Sequence, residues 1–235
     1  FDSFAPQRVL SWCPTCQQHL GDTLSGFATP EFEFGHLTAF LVDRIESLAA
    51  GFVRPIARRA VLHAHRGMAD VGHAVQALLQ RIPGLELVDT VWESSYTCGG
   101  SGCNRSPALR DAEHRELVQR VDETGADLLV TLYHGCHMAF LGAERPGGPR
   151  VVNFTELLVE ALGGVPHDDR LKHLRQHAQW RDAVEEAMPL LAANGLPVDA
   201  AWLERHGPEI FAVAEFRGGL DCLATPAPLA SGAPR

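Results

Sequence analysis

Basic residues are in deficit. Lys and Arg number 20 against 29 Asp and Glu, a formal net charge of −9 at pH 7, so the chain lacks the basic face that holds a phosphate backbone and nucleic acid is excluded as a partner. No apolar run approaches the roughly 18 residues that cross a bilayer. At the start, Phe1-Asp2-Ser3-Phe4 is not a basic region leading into an apolar one, so neither a direct membrane span nor an intact signal peptide is expected. Cysteine is scarce as well. Six in 235 residues are too few for a disulfide-built scaffold, and five of them lie in three short clusters, which suits ligands or reactive thiols in a reducing compartment. A cytoplasmic protein is expected, with any attachment to a membrane complex made through a partner subunit. Met is missing from position 1, and the first element is already a strand bearing a motif, so sequence upstream of Phe1 is expected. Apolar residues are plentiful, 46% of the chain, enough for a packed core.

Arg8-Val9-Leu10-Ser11-Trp12 reads as a buried strand that delivers Cys13-Pro14-Thr15-Cys16 at its end, with a helix from Gln17. Leu37, Phe40, Leu41, Ile45 and Leu48 recur at helical spacing and predict one helix over Leu37 to Ala50. From Arg59 the pattern alternates. Strands are expected at Ala60 to His63, Leu85 to Trp92, Leu128 to Tyr133 and Val151 to Phe154, and helices at about Ala69 to Arg81, Ala108 to Thr124 and Glu156 to Leu162. The strands are continuous apolar runs, as parallel strands covered on both faces should be. The fold class is therefore α/β, a Rossmann-like βαβ sandwich with a mainly parallel sheet. Helices follow over about Asp168 to Ala193 and Asp199 to His206, and the Pro- and Ala-rich residues 224–235 read as part of an extended tail that orders only on a partner.

Three strand ends run into polar clusters: His63-Ala64-His65-Arg66-Gly67, Cys98-Gly99-Gly100-Ser101-Gly102-Cys103, and Tyr133-His134-Gly135-Cys136-His137. Open α/β sheets bind ligands at the carboxyl ends of their strands, so the three could meet at one site. Thiolates and imidazoles on such loops suit soft or borderline metals. Cys13 and Cys16 fit one metal ion or cluster, a redox dithiol, or a pair of structural thiols. The glycines beside Cys98 and Cys103 let backbone N–H groups approach a sulfur or an anion. They do not form a dinucleotide fingerprint. Cys222 reads as a lone buried thiol, and His167, His173 and His177 as a solvated helix face.

Taken in order, the clusters resemble the cysteine-rich, Cys-Cys-Gly-bearing domain of the heterodisulfide reductases, which recurs in the iron–sulfur subunits of anaerobic glycerol-3-phosphate dehydrogenase, glycolate oxidase and lactate-utilisation proteins. Thr97-Cys98-Gly99 stands at the family's Cys-Cys-Gly, and Tyr133-His134-Gly135-Cys136 at its Cys-x-x-Cys, whose first position lies 35 residues beyond Cys98. Val9 to Cys16 looks like the last motif of a preceding copy. The resemblance implies residues 1–36 as the end of a first copy, 37–165 as a second, degenerate copy, 166–210 as a helical region and 211–235 as the tail. In the second copy three cysteine positions read His65 or Arg66, Thr97 and Tyr133, leaving Cys98 and Cys136.

The resemblance implies an iron–sulfur cluster on Cys13 and Cys16 in the first copy. In the second copy it leaves a simpler metal site or none, with Cys98, Cys136, His65 and His134 as candidate ligands and Gly99, Gly100 and Cys103 lining a cofactor. The expected function is an electron-transfer or docking subunit of a multi-subunit oxidoreductase, partnered by its other subunits. A non-redox structural module, metal-free or holding a single zinc, is the alternative. A catalytic disulfide or quinone reductase is the third reading.

Overall fold

The computed structural model describes residues 4–17, 20, 25–27, 31–93, 107–144, 147–165, 168–177 and 179–212. Two parallel sheets are present. The smaller pairs β1 (Arg8–Ser11) with β2 (Glu33–His36), and α1 (Pro14–Cys16) and α2 (Ser25–Phe27) lie between them in sequence. After α3 (Leu37–Val42) and α4 (Ile45–Ala50) comes the four-stranded sheet, built from β3 (Arg58–His65), β4 (Leu85–Glu93), β5 (Leu128–Thr131) and β6 (Arg150–Asn153) in the order β4-β3-β5-β6. Every pairing in it is parallel. The connections carry α5 (Ala69–Leu79), α6 (Pro107–Thr124) and α7 (His134–Phe140), and α8 (Phe154–Ala161), α9 (Arg170–Gln176), α10 (Trp180–Ala193) and α11 (Ala200–Ala212) follow. This is the expected Rossmann-like α/β arrangement.

β3 and β5 are fully buried from Ala60 and Leu128 onward because helices cover both faces of the sheet. One core gathers Leu62, Ala64, Val75, Leu78, Val130 and Phe154; the other gathers Val61, Val121, Leu129, Phe140 and Val151. In α5 the buried positions Val71, Gly72, Val75, Leu78 and Leu79 form one stripe. Gly72 is there for space: a Cβ added to it would stand 2.7 Å from Trp92 Cη2 and 3.1 Å from Ala64 Cβ. Gly72→Ala should therefore destabilise the chain by about 1–3 kcal/mol through overpacking, although helix propensity alone favours Ala by about 1 kcal/mol. A rise in the urea midpoint of that variant would contradict this account.

Several boundaries differ from expectation. The single helix over 37–50 is broken at Asp43 and Arg44, where Arg44 leaves helical geometry and lays its guanidinium 3.8 Å over the Phe40 ring. Where a helix is expected from Gln17, α1 instead runs over Pro14–Cys16, with the Cys13 side chain capping its start and Gln17 as its C-cap. The strand expected to reach Tyr133 stops at Thr131 because Tyr133 is already the residue that starts α7. Asn153 ends β6 and caps α8 in a capping box with Glu156, so the helix begins two residues earlier than its sequence pattern suggests. The helix expected to end at His206 runs through Pro208 to Ala212, across the expected boundary at 210/211. The tail from 213, Cys222 and His167 lie outside the described residues. Among the described residues no helix is long and apolar enough to cross a membrane.

The C-terminal helices are tied down by polar contacts and one aromatic seat. Asp169 caps α9 and meets His137 Nε2 at 3.1 Å. Lys172, buried, ion-pairs with Glu144 and donates to the Val151 carbonyl at 2.9 Å. Trp180 of α10 covers Gly207 of α11, where a Cβ would come within 2.6 Å of the indole.

Candidate metal centre

Residues i and i+2 of a strand point the same way, so His63 and His65 share a face at the carboxyl end of β3. Their rings meet edge to face, 4.6 Å between centroids. Cys136 reaches them from the first turn of α7, just beyond β5. His65 Nε2 lies 3.1 Å from Cys136 Sγ, and one ligand atom from each of His63, His65 and Cys136 falls within 4.8 Å of the others. All three residues are fully buried.

Glu93, the last residue of β4, closes the cluster from the opposite strand. Its Oε2 is 2.8 Å from His63 Nε2 and 3.7 Å from His65 Nδ1. A register shift places it there. Between Ala60 and Val61 the pairing with β4 skips one residue, and His65 faces Glu93 rather than Trp92. Burial pulls the His63 pKa down, but hydrogen bonds with Cys136 and Glu93 outweigh it and the value rises to about 9. Phe140 and Tyr133 wall the site: Phe140 lies edge-on to His63 at 4.8 Å and Tyr133 stacks on His65 at 6.4 Å between centroids.

Of the candidates named from sequence, His65 and Cys136 come together here. His134 does not join them. It is the exposed first residue of α7, whose inward side carries Cys136, His137 and Phe140. Cys98, Gly99, Gly100 and Cys103 lie outside the described residues. Cys13 and Cys16 follow β1 of the smaller sheet, Cys13 as the exposed cap of α1 and Cys16, half-buried, as its last residue. Cys16 N donates to Cys13 Sγ at 3.4 Å, and Ser11 Oγ accepts from Cys13 N at 3.2 Å. The hydrogen bond with Cys13 raises the Cys16 pKa above the usual thiol value. His173 is exposed on α9 and lies 3.4 Å from Asp168, whereas His177 is off the expected helix face, as the extended cap that follows Gln176, and pairs with Glu186 at 2.6 Å. His63 and Glu93 join the cluster without having been marked by a motif; the alternation along β3 is the available signal for His63.

The donor sets differ in what they can hold. Iron–sulfur clusters are carried by several thiolates, four in the common types. One thiolate beside two imidazoles does not fit such a cluster, whereas it suits a single borderline ion. Cys13 and Cys16 fit as two thiolates of a cluster, since one helical turn presents both.

The two regions share a framework. Arg8–Ser11 and Leu128–Thr131 lie 120 positions apart, as do Cys16 and Cys136; each strand is followed by a short helix that bears that cysteine, and later by a parallel partner strand whose last residue, His36 or Asn153, caps the next helix. Trp12 Nε1 donates to the carbonyl of Leu132 at 3.0 Å, and its ring packs edge-on to Phe154 at 6.3 Å, fastening the small sheet to the large one.

No protein-family model matches the chain, and no solved structure does. Over 127 residues the chain is 32% identical to Lactate utilization protein A of Oceanobacillus iheyensis, a match that takes in 52% of this chain and 52% of that protein. It therefore spans about half the length of the curated relative it matches. In sequence the chain is thus similar, over half its extent, to a lactate-utilisation protein, one of the groups in the cysteine-rich family that its motifs resemble.

Proposed function

We propose that the chain is an iron–sulfur, electron-transferring subunit of a multi-subunit oxidoreductase, with an intact cluster site at Cys13 and Cys16 and a degenerate second copy of the same domain over 37–165. The observation that carries this reading is the repeated framework, in which Cys16 and Cys136 occupy equivalent places 120 residues apart. Only the first of the two keeps both cysteines, because Tyr133 stands where Cys13 does. The relative's name connects it with lactate, so the electrons are read as coming from lactate or a similar 2-hydroxy acid oxidised on a partner subunit.

Cys13 and Cys16 would supply two thiolates, and the other ligands fall outside the described residues. When bound, the cluster supplies one-electron transfer. The chain's own part is to hold the thiols: the helix start at Pro14 and the Ser11 contacts fix Cys13, and the Trp12 anchor fixes the strand that carries it. Partner docking is assigned to the C-terminal helices and the turn between α10 and α11, which leave Met188, Leu196 and Trp202 exposed.

The test is iron and labile-sulfide analysis of chain prepared without oxygen. Wild type is expected to show iron–sulfur absorption, Cys13→Ser with Cys16→Ser to abolish it, and Cys98→Ser to leave it largely intact. Absence of iron and sulfide from the wild type would sink the reading. Equal loss in Cys98→Ser would move the cluster to the second copy.

A further inference from the structure

The structure assigns to His63, His65 and Cys136 a second, mononuclear site that binds one divalent ion of the zinc class, separate from any cluster at Cys13 and Cys16. The inference deepens the proposed function, because it says what the degenerate copy does in place of electron transfer, but it stands on different residues.

Chemistry argues first. Two imidazoles and one thiolate form the mixed nitrogen and sulfur set that Zn²⁺ takes, and soft or borderline donors of this kind are poor ligands for Mg²⁺ or Ca²⁺. Core histidines are usually single, whereas here two from one strand turn to the same thiol, and all three side chains are shut off from water.

Geometry argues second. With Zn–N near 2.05 Å and Zn–S near 2.3 Å, the edges of a tetrahedral site are about 3.3–3.6 Å. The His65 to Cys136 contact at 3.1 Å must open by a few tenths of an ångström, and no pair starts wider than 4.8 Å. Small rotations of side chains suffice. Glu93 supplies the carboxylate that metal-bound histidines commonly have behind them, facing His63 Nε2 and, at longer range, His65 Nδ1. Among the described residues three ligands converge, so the fourth position is left for water or another donor.

The consequence is a division of labour. Zn²⁺ has no accessible redox change, so the ion would tie β3 to α7 and hold the carboxyl edge of the sheet while electrons pass through the other half of the chain.

The experiment uses the full chain, reduced and freed of metal by a chelator, then titrated with Zn²⁺ or Co²⁺ in a Cys13→Ser, Cys16→Ser background that removes the other candidate site. About one ion per chain should be retained, with a thiolate-to-Co²⁺ charge-transfer band. Cys136→Ala should eliminate the band, and Glu93→Gln, which leaves all three ligands in place, should weaken binding about 10- to 100-fold. Circular dichroism of each variant shows whether it remains folded. A background chain with His63, His65 and Cys136 intact that takes up no Co²⁺ with a thiolate band, or a folded Cys136→Ala variant that keeps the band, would overturn the assignment. Failure of the iron analysis leaves this result untouched, and a missing cobalt band leaves the cluster at Cys13 and Cys16 untouched, so the two readings fail separately.

Discussion

Replacing Phe154 with Ala is expected to destabilise the folded chain by about 3–5 kcal/mol, the range for emptying a fully buried aromatic site. Phe154 is 0% exposed, stands at the first position of α8, and belongs to the core that joins α5, β3 and β5. It also packs edge-on against Trp12 at 6.3 Å and 89°, a geometry worth about 0.5–1.5 kcal/mol beyond area alone. The loss should therefore spread. Urea unfolding of Phe154→Ala should show a lower midpoint, and amide exchange in Arg8–Ser11 and Glu33–His36 should accelerate more than in β3. A variant that lost stability with no change in exchange at the small sheet would disprove the role of Phe154 as the seat of Trp12. Phe154→Leu, which refills most of the volume, should recover the larger part.

Glu144→Ala should cost about 3–5 kcal/mol, because it strips the counter-ion from a buried ammonium. Lys172 is 7% exposed, ion-paired to Glu144, with the Val151 carbonyl as a further acceptor at 2.9 Å. Glu144 Oε2 also accepts from Val151 N at 2.9 Å, so one carboxylate satisfies both a side-chain charge and a backbone donor at the start of β6. Glu144 is itself partly exposed, and water admitted at its site should hold the effect toward the lower end of that range. Lys172→Met in the Glu144→Ala background should restore much of the loss, since it removes the stranded charge. If Lys172→Met restores nothing, the backbone bond to Val151 rather than the ion pair carries the effect. A double-mutant cycle in urea separates the two.

Much of the fold was legible because its strongest signals are periodic. The apolar runs at Ala60 to His63 and Leu128 to Leu132 could be covered on both faces only in a parallel sheet, and Val71, Val75, Leu78 and Leu79 could form a stripe only on a helix. β2 is the strand that the sequence hides. Glu33-Phe34-Gly35-His36 has little β-rich character, and it becomes a strand because β1 offers it a partner.

In the candidate metal centre, His65 and Cys136 were legible as polar residues at strand ends. His63 stands in the same strand-end cluster, but the family resemblance points to His65, which falls at a cysteine position, and leaves His63 without a role. Glu93 depends on something the sequence does not encode locally: without the skipped residue at Ala60 and Val61, Trp92 would face His65 and Glu93 would lie one pairing beyond it. His134 is expected in the site on proximity to Cys136. Helical geometry decides otherwise, since positions two apart on a helix do not face the same way.

The bond from Trp12 to Leu132 has a consequence for biosynthesis. It closes across 120 residues, so a chain made from its N-terminus presents Trp12 long before its receptor exists. At roughly 5–20 residues per second, the interval is about 6–24 s. Through that time β1 and β2 have no large sheet to dock on, and a pair of strands is too few to be stable alone. The segment that bears Cys13 and Cys16 is thus synthesised early and docked late, and loading of those thiols before release would require the nascent chain to be shielded until β5 is complete.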